Sequence, residues 1–331
     1  MKAFLTGATG FVGGNLIRLL LTQGYQVKAL VRSSSSLTNL HGLDVEIVYG
    51  DLNDPDLSRL MSDCQVLFHV AACYSLWQRD RQNLWQSNVL GTRNILQSAQ
   101  KAGIERVVYT SSVAAIGVGE AGQTVDETHQ SPVAKLIGNY KKSKYYAELE
   151  AIAAFKNGQD IVIVNPATPI GSRDIKPTPT GEIVVRFLKG QMPFYTHTGL
   201  NLIDVDDVAW GHLLALEKGK SGDRYILGNQ NLTLKQILDE LGNITGLPTP
   251  KYAIPHFIPY LAAWFDEIAL SALGKTPTIA LEGVKMAQQN MFYSSKKAIT
   301  QLGLPQSSVN QALRNAVTWH QRKIKEFSEQ K

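Results

Sequence analysis

Short apolar segments alternate with longer amphipathic patterns along the first half of the chain. The apolar segments are rich in Val, Ile and Leu, and helical periodicity follows most of them. They predict strands at residues 3–5, 25–31, 45–49, 66–70, 106–110 and 161–164. Because strands joined by helices pair in parallel, the pattern predicts an α/β fold built on a doubly wound parallel sheet.

This alternation stops near residue 180. The later pattern predicts one more strand, at 222–227. It also predicts three helices, at 181–190, 206–217 and 233–241, and the last of these has Thr233 as its N-cap. The remainder, residues 255–327, is mainly helical in pattern. We therefore expect a sheet domain over residues 1–170, with returning elements around 201–228, and a smaller, mainly helical lobe over residues 171–331.

The first strand–helix unit carries three glycines at a spacing of three, Gly7, Gly10 and Gly13. Glycine adopts positive φ easily and lets a ligand approach the backbone. The helix that follows presents free N–H groups and a positive dipole end, which suit a pyrophosphate. The spacing differs from the G-x-G-x-x-G dinucleotide fingerprint, so a turn without a ligand stays an alternative. The same candidate phosphate site includes Thr9, Phe11 and Val12.

Arg32 ends the second predicted strand, nineteen residues after Gly13. An acidic residue at this position binds the ribose of NAD, whereas an arginine suits the extra phosphate of NADP. We therefore predict NADP(H) as cofactor, and a solvated loop arginine is the alternative.

Further cofactor contacts are predicted where other strands end. Asp54, followed by Pro55, is predicted to cap a helix, which would leave Asp51 available to a ligand. Small residues after the fourth strand would let a nucleotide pass close to the backbone. The additional candidates at strand ends are Leu52, Val70, Ala71, Ala72, Pro166 and Thr168.

Two segments carry candidate chemistry. Ser111 and Ser112 follow the fifth strand, and Tyr140 and Lys144 lie four residues apart on one helix face. We expect the Lys144 charge to lower the Tyr140 pKa, so that the tyrosine can transfer a proton near neutral pH. A Y-x-x-x-K spacing alone could be a coincidence on a lysine-rich helix. Asn88, within a helix predicted at 81–101, is either exposed or buried with hydrogen-bond partners.

Composition narrows the class of protein. The 331 residues are 44% hydrophobic and 18% charged, which is typical of globular chains. The net charge of +5 comes from scattered basic residues without interleaved aromatics, so we expect no nucleic-acid binding. Two cysteines are too few for a disulfide framework, and we predict no metal site. A strand begins at once, so we expect no secretory signal and a cytoplasmic protein.

Aromatic residues suggest the kind of substrate. Tyr74, Trp77, Trp85 and Tyr195 predict a small, apolar or ring-bearing substrate, although each could be core. No segment is long and apolar enough to predict a membrane span. An apolar helical stripe, formed by Phe257, Tyr260, Leu261, Trp264 and Ile268, is predicted to face the core, with peripheral membrane contact as the alternative. The oligomeric state stays open, and a homodimer is one option.

Several motifs occur together in one order: TGATGFVG at 6–13, HVAA at 69–72, Asn88, YTSS at 109–112, Tyr140 with Lys144, and NPATPIG at 165–171. This set resembles the extended short-chain dehydrogenase/reductase family, which includes NAD-dependent epimerases and dehydratases on a Rossmann fold. The resemblance implies that Ser112 is the catalytic serine and Tyr140 the acid/base. It further implies that Lys144 is the electrostatic partner of Tyr140 and a ribose ligand, and that Asn88 supports the site.

Within this family, residues 164–181 and 200–212 are most similar to hopanoid-associated sugar epimerases, which in turn resemble dihydroflavonol reductases. Nucleotide-sugar members usually carry an arginine before the position of Asp204, where Leu202 and Ile203 stand here. Together with Arg32, this predicts an NADPH-dependent carbonyl reductase. A nucleotide-sugar epimerase or dehydratase that uses the same residues is the alternative, and a cofactor-binding regulator is the third.

Overall fold

The computed structural model describes residues 1–120, 122–272 and 280–329. Its strands are β1 (Lys2–Thr6), β2 (Gln26–Val31), β3 (Glu46–Tyr49), β4 (Val66–His69), β5 (Arg106–Thr110), β6 (Ile161–Pro166), β7 (Thr168–Ile170), β8 (Phe194–Tyr195), β9 (Gly199–Asp204), β10 (Arg224–Leu227), β11 (Gln230–Thr233), β12 (Tyr252–Ala253) and β13 (Asn290–Met291). Seven of them form a parallel sheet in the order β10-β6-β5-β4-β1-β2-β3. The predicted doubly wound sheet is confirmed, and residues 224–227 supply its edge next to β6.

The described helices lie on both faces of this sheet and in a second, smaller unit. They are α1 (Phe11–Thr22), α2 (Ser58–Met61), α3 (Arg81–Leu84), α4 (Gly91–Lys101), α5 (Val113–Ile116), α6 (Gly138–Lys156), α7 (Pro179–Leu188), α8 (Val205–Lys218), α9 (Leu234–Thr245), α10 (Phe257–Ala272), α11 (Leu281–Met286), α12 (Lys296–Leu302) and α13 (Val309–Glu329). A π-helical segment, Trp85–Leu90, joins α3 to α4. The single helix predicted at 81–101 is therefore interrupted by a wider turn, which apolar periodicity does not reveal.

Two apolar clusters lie on opposite faces of the sheet. On one face α1 packs against α8, with Leu16, Ile17 and Leu20 in the core. On the other face α4 packs against α6, with Ile95 and Ala147 fully buried. Both faces of the strands are consequently buried, which explains their nearly continuous apolar sequences.

Strands and helices outside the large sheet form a second unit with its own apolar core. Strands β7, β11 and β13 pair with β9, while α7, α9 and α13 pack around the apolar residues of this unit. The predicted cap of α9 is confirmed, because Thr233 and Gln236 form a reciprocal capping box. These elements position the segments that follow β6 above the carboxyl edge of the large sheet.

The prediction that the stripe on α10 faces the core is wrong for three of its residues. Phe257, Leu261 and Trp264 are 61%, 46% and 43% exposed. The side chain of Ile268 lies outside the described residues. Among the helices that the structure describes, none combines the length and apolar character needed to cross a bilayer.

Candidate active site

The glycine turn is shaped by a close approach between β1 and the end of β4. Gly7 has a φ of +77°, and a Cβ there would lie 2.6 Å from the Ala71 nitrogen. A Cβ on Gly13 would overlap the Gly7 carbonyl oxygen. The helix α1 then begins at Phe11 without a side-chain cap or an acidic residue in its first turn. The N–H groups of Phe11, Val12 and Gly13 thus form a compact anion site that fits a pyrophosphate.

Two asparagines that the sequence analysis missed fix this turn. The Asn39 amide donates to the carbonyls of Thr9 (3.2 Å) and Gly10 (3.1 Å). The Asn15 amide donates to the Ser172 carbonyl at 3.3 Å. Arg173 donates in turn to Asn15 Oδ1 at 2.7 Å. The loop after β7 is therefore tied to the phosphate site, and a polar Asn15 within an apolar helix was the available signal.

The end of β2 presents a free cation. Arg32 is exposed, and its guanidinium makes no hydrogen bond or ion pair with any described residue. Burial raises the pKa of the Cys73 thiol, and the positive charges of Arg32 and Lys176 oppose this rise. Both cations therefore lie within electrostatic range of the cleft at Cys73. This position suits an anionic group beyond the ribose of a dinucleotide.

The predictions for the segment after β3 need correction. Asp54 caps no helix: α2 begins at Ser58, and the Asp54 carboxylate accepts a hydrogen bond from the Asp51 nitrogen at 2.8 Å. The Asp51 carboxylate is not left free either, because it accepts bonds from the Asn53 nitrogen (3.0 Å) and amide (2.9 Å). The polar groups of Asp51, Asn53 and Asp54 therefore form hydrogen bonds with one another within this turn.

The remaining strand-end candidates lie along the same edge. Leu52 packs against the core beneath α4. Val70 and Ala71 are half-buried beside Gly7, Ala72 is exposed, and the Ala71 nitrogen donates to Thr6 Oγ1 at 3.2 Å. Pro166 ends β6, and Thr168 begins β7. The structure thus places these residues where the strands end.

The catalytic candidates meet at the carboxyl end of β5. Ser112 caps α5, with its hydroxyl accepting from the Ala114 nitrogen at 3.1 Å. Tyr140 lies in the first turn of α6. Burial raises the pKa of Tyr140 to about 12, and a side-chain hydrogen bond with Ser112 opposes that rise. Two hydroxyl groups are therefore adjacent, and one is held in its protonated form.

Lys144 does not act on Tyr140 as we predicted. Its ammonium donates to the Thr110 carbonyl at 2.8 Å and lies 5.1 Å from the centre of the Tyr109 ring. Burial lowers the pKa of Lys144 to about 8, while Glu148 opposes the change. The expected lowering of the Tyr140 pKa is wrong for this arrangement, because desolvation of the phenol dominates.

Asn88 is buried, and both polar atoms of its side chain have hydrogen-bond partners. Its Oδ1 accepts from the Cys73 nitrogen at 2.7 Å, and its Nδ2 donates to the Cys73 carbonyl and to Ser143 Oγ, both at 2.9 Å. Ser143 donates to the Tyr140 carbonyl at 2.8 Å. Asn88 therefore connects the Cys73 segment with the turn that carries Tyr140, as a positioning residue.

The aromatic candidates separate into two groups. The Tyr74 ring contacts the Tyr140 ring edge-on, with centroids 4.6 Å apart, and Trp77 lies in the same segment. Trp85 contacts Tyr146 instead. Tyr195 lies in β8, where its ring contacts His197 and packs against the core of the second unit. Only Tyr74 is brought into contact with the catalytic candidates.

Glu282 is a further residue that the sequence analysis missed. Its carboxylate accepts from the Asn139 nitrogen and the Asn139 amide, each at 3.1 Å, at the start of α6. Glu282 belongs to α11, 143 residues along the chain from Asn139. A local sequence pattern could not have revealed this contact.

Taken together, a glycine turn that could hold a pyrophosphate, an exposed cation at the β2 end and a Ser–Tyr hydroxyl pair line one edge of a parallel sheet. This arrangement can hold a dinucleotide and transfer a proton to or from a substrate oxygen. The pKa of Tyr140 favours donation of that proton, since the phenol is neutral at physiological pH.

Comparisons with known proteins agree with this geometry. The family model for the NAD dependent epimerase/dehydratase family matches residues 3–228. A Synechocystis protein provisionally named dihydroflavonol 4-reductase is 63% identical over 322 residues, which are 96% of this chain and 94% of the relative. Sterol demethylase protein B of Methylococcus capsulatus is 34% identical over 96% of this chain and 98% of its own. The crystal structure of gox2253 superposes with a TM-score of 0.87 at 40% identity, covering 97% of this chain and 98% of that one.

Proposed function

The chain belongs to the NAD-dependent epimerase/dehydratase family, and on that premise we propose that it is an NADPH-dependent carbonyl reductase. The observation that carries the proposal is the hydrogen-bonded Ser112–Tyr140 pair with the Tyr140 pKa raised to about 12. A phenol held protonated is suited to donating a proton to a reduced carbonyl oxygen.

The cofactor supplies a hydride when it is bound, and the protein supplies its position. The glycine turn and the first turn of α1 would hold the pyrophosphate, and Arg32 would hold the 2′-phosphate of NADP. In our proposal Ser112 orients the substrate oxygen and Tyr140 donates the proton to it. Lys144 would hold the nicotinamide ribose, while Asn88 and Ser143 fix the helix turn beneath Tyr140.

The substrate we propose is an apolar, ring-bearing ketone. Tyr74 contacts Tyr140 with an aromatic edge, and it is 42% exposed, so a ring can stack beside the proton donor. The names of the dihydroflavonol-reductase-like and sterol-demethylase relatives both refer to fused-ring compounds. These names support a fused-ring substrate here.

Nucleotide-sugar epimerisation is the weaker candidate, although the family name includes it. Leu202 and Ile203, which precede Asp204, are fully buried in β9 and offer no cation to a sugar diphosphate. Incubation with UDP-sugars and no added cofactor separates the two reactions. Conversion of a UDP-sugar under those conditions would favour the epimerase and contradict our proposal.

The variant Tyr140→Phe tests the reductase proposal. We expect kcat/KM for NADPH-dependent reduction of a dihydroflavonol or a 3-oxosteroid to fall about 10²–10⁴-fold, since the proton donor is lost. Tyr145→Phe, on the same helix but in contact with Tyr146, is the matched control and should keep its rate. Near-normal turnover by Tyr140→Phe, measured by NADPH absorbance, would exclude this role.

A further inference from the structure

Lys141, the residue after Tyr140, is buried without a partner. It is only 3% exposed, and it makes no hydrogen bond, ion pair or ring contact with any described residue. The polar side-chain atoms that are fully enclosed without a partner are Ser111 Oγ, Asn165 Oδ1, Asp174 Oδ1 and His320 Nε2. The Lys141 ammonium is not among these fully enclosed atoms, so part of its surface stays accessible to solvent.

The other buried lysines differ from Lys141. Lys28, 8% exposed, pairs with Glu46 at 3.0 Å and with Asp63. Lys144, 2% exposed, donates to the Thr110 carbonyl. An unpaired buried charge is costly, which is why lysine is rarely buried unless it is paired. Lys141 is therefore the exception among the lysines that the structure shows as buried.

The helix geometry places Lys141 beside the proton donor. Successive α-helical residues are about 100° apart, so Lys141 leaves α6 on the buried side shared with Lys144, about 60° away. Helical side chains lean toward the helix N-terminus. In α6 that end carries Tyr140, which is bonded to Ser112 at the carboxyl end of β5. Lys141 thus lies in the first turn of α6, one residue after the proton donor and on the buried side of the helix.

The carboxylates that contact α6 are already occupied. Glu148 accepts from the Asn165 amide at 2.8 Å and from Arg224 at 2.9 Å. Glu282 accepts from Asn139. Burial lowers the pKa of Lys141 to about 8, with no neighbouring charge as a further cause. The side chain is still mainly cationic at neutral pH, so a counter-charge from outside the chain would stabilise it.

We propose that Lys141 binds a carboxylate of the substrate, so that the enzyme acts on a ring-bearing oxo acid. A single unpaired cation matches one negative charge, which favours a carboxylate over a phosphate dianion. The proposal rests on the reductase function above and specifies its substrate class. The carboxylate itself is unchanged by the reaction, in which the carbonyl gains a hydride and the Tyr140 proton.

The test compares oxo acids with their methyl esters on the full-length, NADP⁺-saturated protein. The pairs are 4-acetylbenzoate, 3-oxocyclohexane-1-carboxylate and 3-oxo-5β-cholan-24-oate, each with its methyl ester, and binding is measured by titration calorimetry. We expect at least one acid to bind tenfold or more tightly than its ester. In Lys141→Met that preference should disappear, and in Lys141→Arg it should persist. Lys142→Met, an exposed neighbour, is the matched control and should keep it.

Several outcomes would overturn the assignment. These are equal binding of acid and ester in every pair, failure of all the acids to bind, or an acid preference that survives in Lys141→Met. Thermal melting adds a second readout, since removal of an unpaired buried charge should leave Tm unchanged or raise it. A lower Tm in Lys141→Met would indicate a structural lysine instead.

The reductase function and the carboxylate site can fail separately. If the acids bind in a way that depends on Lys141, but no ketone supports NADPH oxidation, the carboxylate site is supported and the reductase function is rejected. Reduction of acids and esters with equal kcat/KM, unchanged in Lys141→Met, would keep the reductase and reject the site.

Discussion

Single side chains set the chemistry of this site through their burial rather than through their spacing along the sequence. The Y-x-x-x-K spacing correctly located Tyr140 and Lys144 on one face of α6. It did not give the direction of the Tyr140 pKa, because desolvation depends on neighbours from distant segments. Asn15, Asn39 and Glu282 were missed for a related reason: each has a hydrogen-bond partner far along the chain, at separations of 157, 134 and 143 residues.

Arg32 provides the residue-scale prediction. Its exposed guanidinium has no partner among the described residues, so binding a phosphate breaks no existing ion pair. We expect Arg32→Asp to raise the Kd of NADPH by tenfold or more and to leave the Kd of NADH nearly unchanged. Fluorescence titration of both cofactors gives the ratio. Arg59→Asp, the same charge change at an exposed residue of α2, is the control.

An equal loss of NADPH and NADH affinity in Arg32→Asp would contradict this role. It would show that Arg32 supports the fold of the β2 end rather than the extra phosphate. The prediction therefore separates NADP selectivity from general cofactor binding.

At the scale of elements, the sequence predicted the central strands well and the connections less well. The predicted bounds of β5 match the structure, and those of β6 extend by two residues to Pro166. Strands buried on both faces have continuous apolar sequences, which are readable without tertiary information. The π-helical segment at Trp85–Leu90 was not predicted, since apolar periodicity does not distinguish a π-helical turn from an α-helical one.

Glu282 links two elements, and this link gives the second prediction. Its carboxylate satisfies N–H groups at the start of α6 and meets the positive end of the helix dipole. We expect Glu282→Gln to lower the free energy of unfolding by about 0.3–1 kcal/mol, since it removes the charge and keeps the shape. Amide exchange at residues 138–142 should become faster.

Glu105→Gln, an exposed glutamate without a side-chain contact in the described structure, is the control for that measurement. It should change neither the exchange at residues 138–142 nor the unfolding free energy. Unchanged protection in Glu282→Gln would mean that α11 does not stabilise the helix start.

At the scale of the whole molecule, stability should depend on buried neutral histidines. His212 is fully buried, donates from Nδ1 to the Val208 carbonyl (2.7 Å) and bonds Thr110 Oγ1 through Nε2 (2.8 Å). Burial lowers its pKa to about 4, and burial lowers those of His69 and His320 to about 3 and 4. Each imidazole binds protons more readily in the unfolded chain, so stability is lost as the pH falls.

The pH range in which stability is lost follows from these pKa values. An unfolded histidine titrates near pH 6.5, so each loss develops as the pH falls from about 6.5 to 4. Asp174 and Asp204 act in the opposite direction between about pH 6 and 4, because burial raises their pKa values to about 6. Burial also raises the pKa of Glu127, whereas hydrogen bonds from neighbouring side chains lower the pKa values of Glu46, Asp63 and Asp126. Together with the three histidines, these lowered carboxylates leave a net loss of stability toward acid.

We expect His212→Gln to reduce the dependence of stability on pH, whatever its effect at pH 7. An imidazole whose pKa is lowered from about 6.5 to about 4 by folding loses roughly 2 kcal/mol of stability between pH 7 and pH 5. Urea unfolding at pH 7 and pH 5 gives the difference, and His41→Gln at an exposed site is the control. An unchanged difference in His212→Gln would show that this imidazole does not contribute.

We propose that the chain divides functionally as the sequence suggested, with a nucleotide-binding part and a mainly helical substrate lobe. The division is not a simple cut in the chain, since β10 follows residue 200 and yet pairs with β6 in the large sheet, and α8 packs against that sheet. The matched family region also extends to residue 228. Apolar periodicity marked these segments, but their return to the sheet depends on long-range pairing.

That return has a consequence for synthesis on the ribosome. Strand β6 is fully buried, and its outer edge is covered only by β10, which is made about sixty residues later. Until Arg224–Leu227 emerge, the nascent sheet would expose an apolar edge that can pair with other chains. Ribosome-bound chains arrested before residue 224 should therefore be more sensitive to protease and bind more chaperone than chains arrested well after it.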